Sequence, residues 1–254
     1  MRTLALSLLA LLLAGPASAD PVKTPGTSKA PGAQPGPVAR QDGLVAHFPL
    51  DGTVRDELSK TVAEASSVRW AKDRFGAEGR AIELDASSTF DGSYLVAAGL
   101  ALPGGRTPRT VALWLQPHPN TSDWLYRSVV GWGGNAQGKR FGLSLKRIGD
   151  KGLEVPLFTG QQADVQGDVG LVDGRWHHLA ATFDGSVLKL YVDGTLAARG
   201  ALALDTAGPE LNVGRSPGSQ YSEHLDGLLD DLRVYGRALE ADEIAALYHE
   251  GGWH

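Results

Sequence analysis

The sequence predicts an all-β protein, an antiparallel β-sandwich that ends in one short helix. Three observations predict it. Apolar residues recur at every second position along short segments, as at Leu44, Ala46 and Phe48 and in residues 141–146, and such a period of two is typical of half-buried strands. Asp-Gly dipeptides separate many of these segments. Apolar residues follow a helical spacing only near the C-terminus, at Ile244, Leu247 and Tyr248.

The Asp-Gly dipeptides suit tight turns because both residues tolerate a positive φ. They begin at Asp42, Asp51, Asp91, Asp173, Asp184, Asp193 and Asp226. Two of them lie in the clearest hairpin pattern, which predicts strands over residues 175–183, 187–192 and 196–199. No repeat of fixed period is found in the sequence, so propellers and solenoids are not expected.

The N-terminal region has the pattern of a secretory signal peptide over residues 1–19. Arg2 precedes an apolar run over residues 4–14, and Ala17-Ser18-Ala19 forms a small-x-small cleavage site. This run is shorter than the roughly 18 residues that cross a bilayer, so we expect a secreted or periplasmic protein that is not membrane-spanning. Residues 20–41 are rich in Pro, Gly and Ala and predict a disordered linker. The folded domain is predicted over residues 42–254.

Composition narrows the expected partners. The chain has 24 basic and 29 acidic residues, a net charge of −5 with neutral His, and no cysteine. No Lys/Arg cluster is present that could contact a phosphate backbone, so a nucleic-acid partner is not expected. Because the chain has no disulfides, its stability must come from the core, with or without a metal ion. It also has no cysteine at the cleavage site to which a lipid could be attached. The oligomeric state is left open.

Five sequence blocks, spread over residues 43–254, resemble a known family. Three of them are Thr-Val-Ala-Leu-Trp-Leu-Gln-Pro at 110–117, Gly-Arg-Trp-His-His-Leu-Ala at 174–180 with Leu-Tyr-Val-Asp-Gly at 190–194, and Gly-Leu-Leu-Asp-Asp-Leu-Arg-Val-Tyr at 227–235. The other two are residues 43–56 and 74–96. Together they resemble the laminin G-like family of the concanavalin A-like lectin/glucanase superfamily. The resemblance implies a jelly-roll sandwich with a short C-terminal helix, which binds a glycan or an extracellular protein. Glu240 stands where Ser often caps that helix, and we expect a weaker N-cap.

Three carboxylates are candidate metal ligands. The resemblance implies a structural Ca²⁺ ion held by Asp51, Asp56 and Asp230, because carboxylate oxygens suit this hard cation. Asp230 shares the period-two phase of Leu232 and Val234, so it is predicted to point into the core and to need a partner. The alternative is that Arg237 pairs with Asp230, Asp51 shapes a turn and Asp56 is solvated.

The loop over residues 120–139 is the main candidate for ligand binding, because aromatic faces stack on sugar rings and amides bond to hydroxyls. A second rim precedes Asp226. The candidate ligand-binding residues are Trp124, Tyr126, Trp132, Asn135 and Tyr221. The alternative is that Tyr126 and Trp132 only cover the edge of the sandwich. Trp70 and Trp114 are interpreted as core residues.

No catalytic motif is found in the sequence. Related glucanases carry a Glu-x-Asp-x-x-Glu strand, which is missing here, and serine hydrolase and zinc protease motifs are missing as well. Asp230 and Asp231 are neighbours on a predicted strand, so they are expected to face opposite sides. We therefore expect a non-catalytic binding module. Two alternatives remain: a glycoside hydrolase or lyase with an unrecognised carboxylate dyad, and a structural component of an envelope assembly.

Overall fold

The computed structural model describes residues 41–86, 92–119, 126–148, the backbone of 153–158, 165–217 and 223–254. All of them belong to one unit that spans residues 34–254. The strands are β1 (Leu44–Phe48), β2 (Glu64–Ser66), β3 (Arg69–Ala71), β4 (Ala81–Leu84), β5 (Tyr94–Ala97), β6 (Arg109–Pro117), β7 (Tyr126–Gly133), β8 (Arg140–Ile148), β9 (Leu153–Phe158), β10 (Val165–Gln166), β11 (His177–Phe183), β12 (Val187–Val192), β13 (Thr195–Ala201), β14 (Leu211–Val213) and β15 (Gly227–Tyr235). One α-helix, α1 (Ala241–Tyr248), is followed by a 3₁₀ turn at Glu250–Gly252.

The strands form two antiparallel sheets that share one core, which confirms the predicted sandwich. The first sheet has the order β13-β12-β11-β6-β15-β4-β3, with β1 also paired to β15. The second sheet has the order β10-β9-β8-β7-β14-β5-β2. The core between them contains Phe48, Leu113, Phe141 and Phe183. Alternate residues of each strand supply it, since successive strand residues point to opposite faces.

The predicted hairpins are present. β11 pairs with β12, and β12 pairs with β13, with Val192 opposite Thr195. Asp193 and Gly194 connect β12 to β13, and their φ angles are 49° and 75°. Positive φ at both central residues is the geometry of a tight turn that matches strand twist, which explains the Asp-Gly dipeptide.

Helix α1 packs on the outer face of the first sheet, which is the face turned away from the shared core. Ile244 and Leu247 belong there to a second buried apolar cluster, together with Ala112, Ala180 and Tyr191. The helix starts with a capping box, in which the Glu243 carboxylate accepts the Glu240 N–H at 2.9 Å. The hydrogen bond from the Glu240 N–H to the Glu243 side chain thus offsets the weaker N-cap that was expected for Glu240.

A β-bulge in β15 determines the chemistry of the outer face. Asp230 is opposite Trp114, and the next paired residue on β15 is Arg233, opposite Ala112. Asp231 has a φ of 51°. The extra residue lets Leu229 and Leu232 both enter the core, so Asp230 and Asp231 both lie on the outer face. The prediction that Asp230 points into the core, with Asp231 on the opposite side, is wrong because regular alternation stops at this bulge.

Candidate functional site

A cavity of about 480 Å³ opens on the outer face of the first sheet. Its walls come from β1, residues 49–57, the β3–β4 loop, the bulge of β15 and the 3₁₀ turn. The lining residues are mostly charged: His47, Pro49, Asp51, Glu57, Asp73, Arg74, Phe75, Ala77, Arg80, Asp230, Asp231, Arg233 and Glu250. Ligand pockets commonly have volumes of about 300–1,000 Å³, so this cavity has the size of a small-ligand site.

The β3–β4 loop supplies Arg74 and Phe75 to the lining of the cavity. Its conformation is held by Asp73, whose Oδ1 accepts the backbone N–H of Phe75 at 2.9 Å and of Ala77 at 2.8 Å. The Arg74 side chain is only 9% exposed, whereas Phe75 is 51% exposed. The loop thus buries a guanidinium inside the cavity and presents an aromatic ring to solvent.

The inner end of the cavity is a network of ion pairs. Arg74 Nη1 donates to Asp230 Oδ2 at 2.5 Å, and Arg74 Nη2 lies 3.5 Å from Asp231 Oδ2. Arg233 Nε donates to Asp231 Oδ1 at 3.0 Å, and His47 Nε2 contacts the same oxygen at 2.8 Å. Because buried charges must be paired, the two arginines and the histidine are what allow two adjacent carboxylates to be buried here.

The two neighbouring carboxyls have opposite pKa shifts. Burial raises the pKa of Asp230 to about 7, against the lowering effect of Arg74 and with a further contribution from Asp231. Burial also acts to raise the pKa of Asp231, but the His47 hydrogen bond and the charges of Arg233 and Arg74 outweigh it and hold that pKa well below its usual range. Asp231 is therefore ionised near neutral pH, and Asp230 is partly protonated.

Asp231 is not arranged as the nucleophile or base of a glycoside hydrolase. Hydrolysis needs two carboxyls on either side of a sugar, about 5–9.5 Å apart, and one of them must be free to act as nucleophile or base. Both oxygens of Asp231 are held by His47, Arg74 and Arg233. Its negative charge is thus already shared among cations, and its oxygens are not free to attack a ligand.

The mouth of the cavity combines aromatic and charged groups. Phe75 meets Trp253 edge to face, with 6.0 Å between ring centroids, and the Arg74 guanidinium lies 4.7 Å from the centre of the Phe75 ring. Asp51 pairs with Arg80 at 2.5 Å. The mouth therefore offers a ring edge and several hydrogen-bonding groups to an entering molecule.

The three predicted calcium ligands each have a protein partner. Asp51 pairs with Arg80 and Asp230 with Arg74. Asp56 is fully buried, and its oxygens accept the N–H of His47 and the N–H and hydroxyl of Ser59 at 2.5–2.7 Å. Within the described ranges, no three His, Cys, Asp or Glu side chains are arranged to hold a metal ion. These three carboxylates therefore do not fit one shared ion, and calcium binding stays a prediction.

The alternative partner for Asp230 is also corrected. Arg237 does not reach Asp230; its two terminal nitrogens donate to Glu243 at 2.8 and 2.7 Å, and its Nε donates to the Asp42 carbonyl. Arg237 thus ties the start of α1 to the beginning of the domain. Arg74, from the β3–β4 loop, occupies the position that the sequence assigned to Arg237.

The predicted ligand-binding residues are only partly placed. Trp124 and Tyr221 lie outside the described residues, and Tyr126 is half-buried at the start of β7. Trp132 is wrong as a ligand contact, because it is 1% exposed, packs on Phe141 and donates to the Pro103 carbonyl at 2.9 Å. Asn135 is exposed, and its side chain accepts a hydrogen bond from Arg140.

Two described residues of the candidate regions proposed from the sequence are in contact: the Ser128 N–H donates to the Glu223 carbonyl at 2.7 Å. Ser128 lies on β7 of the second sheet, whereas the cavity lies on the first. Trp70, predicted to be a core residue, is 45% exposed because β3 is an edge strand, and Trp114 is buried as predicted.

Sequence reasoning missed most of the cavity residues, including His47, Arg74, Phe75 and Arg233. One signal was present. Leu229 and Leu232 are three residues apart, whereas Leu232 and Val234 are two apart, and such a break in period two indicates a bulge.

Two packed antiparallel sheets with a pocket on one outer face define a lectin-like β-sandwich. Residues 88–245 match a laminin G-type family model described as concanavalin A-like lectin/glucanases superfamily, and the chain belongs to this family. The family resemblance seen in the sequence is thereby confirmed. No curated protein matches the chain at a significant level.

Solved structures with the same fold include binding domains. Domain 4 of AbnA, a GH43 extracellular arabinanase from Geobacillus stearothermophilus in complex with arabinotriose, is 19% identical and has a TM-score of 0.62, with 81% of this chain and 98% of that one covered. The binding domain of Paraclostridial Mosquitocidal Protein 1 is 18% identical, with a TM-score of 0.65 and coverages of 83% and 52%. The botulinum neurotoxin serotype G binding domain is 14% identical, with a TM-score of 0.59 and coverages of 81% and 50%.

The chain spans about half the length of the two toxin binding domains. At these identities the likenesses concern the fold alone. In the part of the chain that the structure describes, no helix has the length and apolar character needed to cross a membrane.

Proposed function

We propose that the protein is a non-catalytic carbohydrate-binding module whose ligand enters the charged cavity on the outer face of the first sheet. The observation that carries this proposal is the combination of a 480 Å³ cavity, hydrogen-bonding charged walls and a half-exposed Phe75 at its mouth. Sugar sites pair an aromatic surface with a few polar groups that fix the hydroxyls.

A structural neighbour supports the choice of carbohydrate as the ligand class. The AbnA domain, which was solved with arabinotriose, is a reason to test oligosaccharides.

Removing the exposed ring should weaken glycan binding without unfolding the domain. We expect Phe75→Ala to lower affinity for a bound oligosaccharide by about 3- to 10-fold, since aromatic contacts contribute about 0.5–1.5 kcal/mol. The assay is a glycan array that includes arabino-oligosaccharides, followed by calorimetric titration of the hits. The array is run with Ca²⁺ and with EDTA, which also tests the calcium prediction made from the sequence.

Trp70→Ala is the matched control, since Trp70 is similarly exposed but does not line the cavity. Equal affinity losses for the two variants, or an array with no hits, would contradict the proposal. A blank array together with specific binding to an extracellular protein would favour a protein partner.

We also propose that the protein is exported. Cleavage after Ala19 would leave Asp20 as the N-terminal residue. Expression with the native N-terminus in a bacterium is expected to yield, outside the cytoplasm, a protein whose intact mass corresponds to residues 20–254. Recovery of the full-length mass from the cytoplasm alone would contradict export.

A further inference from the structure

His177 lies at the start of β11, with its ring buried between two acids. Its side chain is only 4% exposed. Its Nδ1 lies 2.9 Å from Asp193 Oδ2, and its Nε2 lies 3.1 Å from Asp173 Oδ1. An ionised carboxylate can only accept hydrogen bonds, whereas a neutral imidazole has one donor and one acceptor nitrogen. Both contacts are therefore hydrogen bonds only when the ring carries two protons and a positive charge.

The charges around the ring favour this protonated form. Burial acts to raise the pKa of Asp173, but hydrogen bonds from Arg175 and His177 outweigh it and lower that pKa to about 2. Burial acts to lower the pKa of His177, but the hydrogen bonds and charges of Asp193 and Asp173 outweigh it and raise that pKa above its ordinary value of 6.5. His177 thus keeps its charge at a pH where an ordinary histidine has largely lost it.

The proton on His177 balances the formal charge of this cluster. Arg175 donates to Asp173 Oδ2 at 2.7 Å, so Arg175 and the protonated His177 stand against the carboxylates of Asp173 and Asp193. When His177 is neutral, one carboxylate loses its cation and one ring nitrogen turns a lone pair toward an oxygen. Loss of this single proton therefore removes an attraction and introduces a repulsion.

Strand β6 and helix α1 are also close to the cluster. Across the sheet, His177 is paired with Leu115 of β6, which is apolar. From α1, the Tyr248 phenol acts on the charge of Arg175. The next residue, His178, packs on the Trp114 ring of the outer face, with 5.3 Å between ring centroids. Burial lowers the pKa of His178 to about 4, so His177 is the histidine of this strand that changes its charge above pH 6.

Asp193 connects this cluster to helix α1. It shares the β12–β13 turn with Gly194, where an added Cβ would lie 3.3 Å from Ala245 Cα and 3.3 Å from Tyr248 Cβ. Because packing this close leaves no room between turn and helix, a displacement of the turn displaces the helix as well. Helix α1 leads into the 3₁₀ turn, whose Glu250 lines the cavity.

We propose that Asp173, His177 and Asp193 form a pH-sensitive clamp, which fixes the β12–β13 turn against α1 while His177 is protonated and releases it when His177 loses its proton. This inference goes beyond carbohydrate binding and does not depend on it. The folded-state pKa of His177 is raised, so the stability from the clamp is fully present below pH 6.5 and is lost as the pH rises through that raised pKa. Helix α1 and the 3₁₀ turn should then loosen.

Nitrogen chemical shifts of the His177 ring test its charge in the unmodified protein. At pH 7 we expect both ring nitrogens to carry a proton, and we expect the titration midpoint to lie above the ordinary value of 6.5. The midpoint should be lower in Asp193→Asn, which removes one carboxylate while Asn tolerates the positive φ of this position. A midpoint at or below 6.5, or one unprotonated ring nitrogen at pH 7, would overturn the proposal.

Hydrogen exchange of the α1 amides tests the release. Protection factors, which correct for the intrinsic pH dependence of exchange, are compared at pH 6 and pH 9. We expect their fall to be at least about threefold larger in the wild type than in His177→Gln. Asp230 also titrates in this range, but it is present in all the proteins compared, so its effect cancels.

His118→Gln is the matched control. His118 is 37% exposed and contacts a single carboxylate, that of Asp226, at 3.0 Å, so this variant should keep the wild-type fall. Equal falls in the wild type and in His177→Gln, or a fall that disappears in His118→Gln, would refute the assignment of the clamp to His177.

Discussion

Replacing Arg74 by methionine is expected to lower the free energy of unfolding by about 3–5 kcal/mol at pH 8, as is typical when one partner of a buried ion pair is removed. Arg74 is the cation that contacts Asp230 at 2.5 Å, and Asp231 is beside it. Without the guanidinium, Asp230 would have to ionise in a buried site next to a second negative charge, or stay protonated at the expense of stability.

The loss should depend on pH. The pKa of Asp230 is raised to about 7 from an ordinary value of 3.8, so the stability that this group contributes is fully present below about pH 4 and is lost as the pH rises through 7. At pH 5.5 Asp230 is largely protonated, and Arg74→Met should cost clearly less than at pH 8. The double variant Arg74→Met/Asp230→Asn should recover much of the loss at pH 8, because no unpaired charge remains at position 230.

Urea unfolding at pH 5.5 and pH 8 measures these differences. The control is Arg80→Met, which removes an exposed guanidinium from the same cavity and is expected to cost at most about 1 kcal/mol. A loss for Arg74→Met that is independent of pH, or one no larger than that of Arg80→Met, would refute the role of Arg74 as the counter-ion of Asp230.

Trp132→Ala is expected to lower the free energy of unfolding by about 3–5 kcal/mol, the usual cost of truncating a buried tryptophan. The indole packs 4.7 Å from Phe141, measured between ring centroids, and its N–H bonds to the Pro103 carbonyl. The variant therefore leaves both a large void and an unpaired carbonyl. Affinity for any glycan that binds the cavity should be unchanged at a temperature where the variant is folded.

Trp70→Ala gives the comparison, since its ring is 45% exposed at an edge strand and its loss should cost no more than about 1 kcal/mol. The urea midpoints of the two variants at pH 7 measure the two losses of stability. A small loss for Trp132→Ala, together with abolished glycan binding, would restore the assignment made from sequence. A large loss for Trp70→Ala would contradict its placement at the surface.

The sandwich could be predicted from sequence because its signals are local and repeated. Period-two alternation, as in β1, and Asp-Gly turns, as at Asp193, each act over a few residues and recur along the chain. Helix α1 contains the three apolar residues whose spacing predicted it, Ile244, Leu247 and Tyr248. The family resemblance, which is carried in part by the same residues, implies the same fold.

The cavity could not be predicted in the same way, since its members are far apart in sequence. Arg74 and Asp230 are 156 residues apart, and nothing local indicates that Arg74 rather than Arg237 is the partner of Asp230. The exposure of a tryptophan is likewise decided by what covers it. Trp132 and Trp70 both lie in strands, and only the position of the strand in its sheet separates a core ring from a surface ring.

By itself, the sequence determined that this chain forms an antiparallel sandwich with a C-terminal helix, because hydrophobic periodicity and turn chemistry are properties of adjacent residues. Only the tertiary structure decided where the site lies. One extra residue in β15 turns Asp230 and Asp231 to the same outer face, where β1, the β3–β4 loop and the 3₁₀ turn enclose them. A bulge moves side chains between faces through the register of the partner strand, and that register is fixed only when the sheet assembles.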